Sequence, residues 1–382
     1  MIGKLTHWIL VLFGILSRRS WRRRLETGDG IVHSKKFNDG LVAISVEEKV
    51  QLDSKRYSVV SGPNPDWLDV FSKEHIIEGA FYTEHENAFL VGFCAVAIDS
   101  RGNVLLESTL GSKRYLDKTG DSKFIQSFKR LPTEATLDVV FSLVNVLSKS
   151  YFHWVSEVLP MLRSYFEYEF INKQFPTIVI DRMPTEFQLQ FLDLLGVPKD
   201  KVLLWNYKKI RAKKLVLSSV NFHRIKVDEF NALHLYSKNG LNWLAERIES
   251  SKKVHKHERI YISRRESRVV VNEVELLDFL EKRNVKRVFL EDLSVADQID
   301  LFKRTDLLIS IHGAGLVNLV FSKGIKVIEL FPDVRNTYLT YHYFQISNYF
   351  NHEYTLCYCR TQNTSHDIVV DLDLLNELLG DV

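Results

Sequence analysis

The stretch from Asp306 to Pro332, DLLISIHGAGLVNLVFSKGIKVIELFP, decides the reading of this chain. Residues 307–311 are an apolar run of strand length, and His312-Gly313-Ala314-Gly315 breaks it. Residues 316–321 then read as a short helix, and residues 326–331 as a second strand that Pro332 stops. A strand, a glycine turn and a helix N-terminus make an anion site, because unpaired backbone N–H groups and the positive end of the helix dipole face the ligand. Gly313 and Gly315 are expected to let the backbone approach that ligand closely. The loop has neither the GxxxxGK[ST] of a P-loop nor the GxGxxG of a dinucleotide site. A nucleotide-diphosphate group suits it, and a glycine turn kept for packing alone is the other reading.

The segment before this stretch repeats the strand–helix alternation. Residues 259–263 read as a strand, with Asn272 capping a helix over 273–283. Residues 285–290 read as a strand, with Ser294 capping a helix over 295–303. Four strands interleaved with helices make a doubly wound unit, whose ligands bind at the carboxyl ends of the strands. Ser263-Arg264-Arg265 ends the first strand and His312-Gly313 the third, so both belong on one crevice. Arginine forks suit diphosphate oxygens. Glu329, near the end of the last strand, is positioned to accept hydrogen bonds from ribose hydroxyls.

Upstream, residues 148–170 carry a helical pattern that Pro160 should kink. His153 and Glu157 stand four apart and share a face. They can act as a proton-transfer pair, with Glu157 as the base and His153 orienting it. A polar pair that only stabilises a helix start is the alternative. Residues 177–180, 202–205 and 215–217 read as short strands, and 185–195 as a helix closed by Gly196 and Pro198. Five of the seven residues 208–214 are basic, which reads as a solvated loop. Residues 228–250 read as a helix and 371–379 as a terminal one. Residues 31–145 look β-rich, with a long apolar run over 88–98 and a turn at 99–103. Residues 336–359 hold six tyrosines, two phenylalanines and two histidines, suited to sugar stacking but more often used in a core.

At 382 residues the chain exceeds a single core. It is 45% hydrophobic and 26% charged, a globular balance, and a net charge of +3 gives no case for nucleic acid. Cys94, Cys357 and Cys359 form neither an even framework nor a CxxC, so no metal site is expected and a reducing compartment fits. Residues 8–16 are almost wholly apolar and five arginines follow, at 18, 19, 22, 23 and 24. That run is shorter than the roughly 20 residues a span needs. It fits an interfacial helix on an anionic membrane surface, and a packed terminal helix equally.

Three motifs, YFHWVSEVLPML, YISRRESRVVVNE and LLISIHGAGLVNLVF, in this order and spacing, resemble glycosyltransferase family 61. The resemblance covers about residues 140–335. It implies a GT-B-like α/β fold, two Rossmann-like domains with the active site in the cleft between them. The expected division is a 1–30 segment, an acceptor-side domain over 31–225 and a donor domain over 226–382. It also implies an inverting, metal-independent transferase that uses a nucleotide-diphosphate sugar, with no cofactor. The acceptor is a glycan or glycolipid, in capsule or other surface polysaccharide assembly. The location implied is cytoplasmic, on the inner face of the membrane. Carried over by position, His153 and Glu157 fall in the acceptor-side motif, where the family commonly has Asp in place of Glu157. Arg264, Arg265, Asn272 and Glu273 fall in the second motif, and His312, Gly313, Ala314, Gly315 and Asn318 in the third. A nucleotide-sugar-binding protein without catalysis, or another nucleotide-cofactor α/β enzyme, are the alternatives.

Overall fold

The computed structural model describes residues 31–32, 41–65, 67–111, 121–226, 232–248, 257–333 and 341–380. The basic and apolar segment 1–24 lies outside these residues. The chain forms two compact α/β units.

The first unit comprises Met1–Glu47, Gly79–Leu189 and Gly196–Asn221. Among the described residues its sheet has nine strands. Lys209–Ser218, Ala135–Ser142, Thr177–Ile180 and Val202–Leu204 lie side by side and parallel. Phe81–Val91 runs antiparallel to Lys209–Ser218 on its other side. The apolar run 88–98 is not one strand. Gly92 (φ +83°) and Ala95 (φ +48°) turn it back on itself, so Phe81–Val91 pairs with Val96–Ile98.

The basic segment 208–214 is also a strand and not a loop. Ile210, Ala212 and Leu215 are buried in the unit's core. Lys213 and Lys214 pair with Asp138 and Glu84 at 2.7 and 2.5 Å. Lys209 is buried, and its ammonium donates to the Phe128 and Leu131 carbonyls at 3.0 and 3.1 Å. Counting charges hid a period of two.

The acceptor-side motif is helical but irregular. An α-turn, Tyr151–His153, passes into a π-turn, Trp154–Val158, then a 3-10 turn, Leu159–Met161, and an α-helix, Leu162–Asn172. Pro160 has no N–H to donate to the carbonyl four residues back and would clash with it, so the ladder shifts register there.

The second unit comprises Glu48–Glu78, Gln190–Leu195 and Phe222–Val382. Its sheet runs Lys286–Val288, Glu258–Ile262, Thr305–Ile311, Lys326–Pro332, Glu353–Thr361, all parallel. Numbered along the chain from Glu258, that is the order 2-1-3-4-5 of a doubly wound sheet. Thr305–Ile311 and Lys326–Pro332 are buried along most of their length, as sheets covered on both faces require.

The division differs from 31–225 and 226–382 because Tyr57–Val60 pairs in parallel with Glu353–Thr361, joining residues 48–78 to the second unit. That pairing spans nearly 300 residues of chain, beyond any local pattern. Among the described residues of 228–250, Ala232–Tyr236 is a strand paired with Phe222–Lys226, and Lys238–Ile248 is helical. The aromatic tail serves the core: Tyr341, Tyr343, Phe344, Tyr349 and Tyr354 are buried, and Trp67 and Phe71 pack on Tyr341.

Asn272 does not cap its helix with its side chain. Its Nδ2 donates to the Val370 carbonyl at 2.9 Å, and its Oδ1 accepts from the Val370 N–H at 3.0 Å. Asn272 is therefore a fastener between two segments 98 residues apart. Asn272→Ala leaves both groups of buried Val370 unpaired, which costs about 1–3 kcal/mol. The urea midpoint of the variant should fall accordingly, and an unchanged midpoint would contradict this role.

Candidate functional site: a pocket at the switch point of the second sheet

The carboxyl ends of Glu258–Ile262 and Thr305–Ile311 are neighbours, and the chain leaves them in opposite directions along the sheet. A crevice must open at such a switch point. A pocket of about 510 Å³ occupies it, walled by Ile262–Glu266, Leu290, Glu291, Ser310, Ile311 and the turn Gly313–Leu316. That volume is within the range of small-ligand sites.

The turn leads into a 3-10 helix, Ala314–Phe321, where a short helix was expected. Its first bond runs from the Leu316 N–H to the Gly313 carbonyl at 3.1 Å. The first N–H groups of a helix have no partner within it, and Ala314 and Gly315, which carry two of them, line the pocket. Arg264 supplies the charge. Its Nη1 donates to the His312 carbonyl at 3.0 Å, fastening the end of the first strand to the end of the third. Burial, and then the neighbouring Arg268, lower its pKa from the usual arginine value. A desolvated guanidinium beside helical N–H groups favours an anion.

The glycines do a different job from the one expected. Gly313 has φ −177°, which any residue adopts. A Cβ there would stand 2.4 Å from Arg264 Nη1, and one on Gly315 would stand 2.3 Å from Leu290 Cδ1. The missing side chains make room for the pocket's own walls. The Tyr343 hydroxyl donates to the Gly313 carbonyl at 2.6 Å, and its pKa is raised well above the usual value by burial and then by Glu329.

Arg264, Arg265, Gly313, Ala314 and Gly315 line the pocket. Arg265 is already engaged: it forks onto Asp292 at 2.7 and 2.6 Å, reaches Glu291 at 3.3 Å, and lies 4.0 Å from the Phe289 ring centre. Asn272, Glu273, His312, Asn318 and Glu329 are not among the lining residues. Glu273 accepts from the Ser263 and Tyr261 hydroxyls and faces Arg287. Buried Asn318 donates to Gln298 at 2.9 Å, tying the 3-10 helix to Val295–Arg304.

Glu329 is fully buried within its strand and is not among the residues that line the pocket. One oxygen is 2.5 Å from His312 Nδ1, and the other accepts from the Tyr354 hydroxyl. Strand alternation places Glu329 on the sheet face that His312 and Tyr354 share. Leu290, Glu291 and Tyr343 were missed in the sequence. Glu291 carried a signal, because an acidic residue just past the second strand is a known nucleotide contact.

In the first unit, His153 Nδ1 lies 3.1 Å from Glu157 Oε1 without the alignment of a hydrogen bond. The Glu157 side chain is 0% exposed and that of His153 27%. Both stand at the π-turn, a form of helix frequent at functional sites.

Residues 151–328 match the family model described as Glycosyltransferase 61. Over this segment, a little under half of the chain, the sequence is similar to glycosyltransferase family 61. The matched span contains His153 and Glu157 of the first unit and Arg264 and the turn of the second, and ends one residue before Glu329. The curated relatives include protein O-linked-mannose beta-1,4-N-acetylglucosaminyltransferase 2 of Canis lupus familiaris, 39% identical over 77 residues, or 19% of this chain and 13% of the relative. The Xenopus tropicalis protein of the same name is 42% identical over 77 residues, with the same shares. The EGF domain-specific O-linked N-acetylglucosamine transferase of Drosophila melanogaster is 48% identical over 65 residues, 16% of this chain and 12% of the relative. The chain thus spans about an eighth of the length of these relatives.

Arg264→Ala should weaken pyrophosphate binding tenfold or more, since a charge-assisted hydrogen bond is worth about 1.5–3 kcal/mol. Gly313→Ala should weaken it similarly, with little loss of thermal stability, because the added methyl displaces only the tip of a flexible side chain. Arg265→Ala should cost less, since its fork is held by Asp292. Calorimetric titration and melting curves of the three variants check the ranking, and equal binding by all three would refute it.

Proposed function

We propose that the chain is an inverting glycosyltransferase that moves a sugar from a nucleotide-diphosphate donor to a hydroxyl of a glycan or glycolipid, in surface polysaccharide assembly. The observation that carries this reading is the desolvated Arg264 guanidinium beside the N–H groups of Ala314 and Gly315, in a pocket of nucleotide-binding form. The family 61 match over residues 151–328 supports the transferase class. In this reading the second unit takes the donor and the first supplies the acceptor base, the division of labour of GT-B enzymes. Residues 1–24 hold the protein on the inner face of an anionic membrane, and no cofactor takes part. The names of the relatives specify N-acetylglucosamine transfer, so a nucleotide-diphosphate N-acetylglucosamine is the first donor to test.

Burial changes the assignment of the base. A carboxylate with no exposed surface does not meet an acceptor hydroxyl, so the partly exposed His153 takes the proton and Glu157, beneath it, orients the ring and stabilises its charge. The acceptor oxygen then bonds to the anomeric carbon from the face opposite the diphosphate. The bond from that carbon to the diphosphate oxygen breaks with its electron pair, and the centre inverts. Arg264 and the turn meet the charge that collects on the leaving group.

Transfer from the donor should yield a product of inverted anomeric configuration by NMR. His153→Gln should lower turnover by about 10²–10⁴-fold, the range of a general base, and leave the donor dissociation constant unchanged. Glu157→Gln should lower turnover with the same unchanged donor binding. Full turnover in His153→Gln with loss in Glu157→Gln would return the base to Glu157. Full turnover in both would remove the pair from the reaction.

A further inference from the structure

We propose that Glu291 reads the ribose hydroxyls of the nucleotide donor. This rests on the donor-pocket reading above and adds a residue that specifies the sugar of the nucleotide. The diphosphate end is fixed by Arg264 and the turn, so the nucleoside must lie along the remaining wall. A ribose diol presents two donors, and a carboxylate is the side chain that accepts both.

The carboxylates around the pocket sort themselves. Both Glu329 oxygens are taken by His312 and Tyr354. Glu273 is held by Ser263, Tyr261 and Arg287. Asp292 gives both oxygens to Arg265 and is not a lining residue. Glu266 and Glu291 remain on the wall. Glu291 follows the strand Lys286–Val288, which lies beside Glu258–Ile262, the strand that delivers Arg264. It therefore occupies the position from which doubly wound sheets bind a ribose hydroxyl.

Glu291 is also held ready. Arg265 reaches its Oε1 at 3.3 Å, while the Asp292 fork and the Phe289 ring keep Arg265 in place. That single contact at Oε1 positions the carboxylate and uses only part of its accepting capacity. Arg265 and Asp292 thereby become a brace for Glu291 and not a second phosphate clamp.

The test is calorimetric binding of ribonucleoside 5′-diphosphates to the full chain, starting with uridine, guanosine, cytidine and adenosine diphosphates. The tightest is then compared with its 2′-deoxy and 3′-deoxy forms on wild type, Glu291→Gln and Glu266→Gln. The wild type should prefer the ribo form over at least one deoxy form by roughly tenfold. Glu291→Gln should erase that preference with affinity for the deoxy form unchanged, a pattern that misfolding does not produce. Glu266→Gln should keep it. A preference that survives in Glu291→Gln, or disappears in Glu266→Gln, overturns the assignment, as does a wild type without preference. Failure of the wild type to bind any nucleoside diphosphate overturns the donor-pocket reading itself, and this assignment with it.

Discussion

The hydrogen bond from Arg264 to the His312 carbonyl joins the ends of the two strands between which the pocket opens. It takes a cation partly out of water, at a cost that one carbonyl only partly offsets. The rest of the site follows from that constraint. Residue 313 must lack a Cβ, since the guanidinium fills that space. The carbonyl of Gly313 accepts from the Tyr343 hydroxyl and from the Leu316 N–H, which holds the turn in place. A cation with an incomplete set of partners, next to N–H groups without helical acceptors, is most stable with an anion between them.

Beneath this layer lies a second, buried one. Glu329, His312, Tyr354 and Tyr343 connect the third, fourth and fifth strands and the Tyr341–Tyr349 helix. Burial, and then the charge of Glu329, raise the pKa of Tyr354 well above its usual value, so its hydroxyl keeps the proton it donates. Such a network fixes the carbonyl of His312, and through it the arginine. Loss of one member would leave a buried polar group without its partner, which is far more costly than the net worth of the bond.

Much of this was legible in the sequence because local signals carried it. The strand–turn–strand pattern around His312, the Ser294 cap and the two strand ends at the switch point all survive in the structure. What failed depended on distant chain or on depth. Residues 48–78 complete a sheet whose partner strand is nearly 300 residues away. Asn272 looks like a cap, yet serves Val370. Glu329 looks like a strand-end contact, and only its burial shows that it supports the site from below. Charge density disguised the strand Lys209–Ser218 as a loop, while its alternating apolar residues went into the core. The same lesson applies to Glu157 and His153: spacing finds the pair, and only the structure shows that Glu157 is buried while His153 is partly exposed.

The central claim is that a diphosphate seats on the turn between His312 and Leu316. Hydrogen exchange of the full chain, followed peptide by peptide with and without a saturating nucleoside diphosphate, tests it most directly. The account predicts slowed exchange in peptides covering Ala314 and Gly315, whose N–H groups gain acceptors, and in the loop that carries Arg264. Protection confined to other parts of the chain, with these peptides exchanging at the unliganded rate, would contradict it.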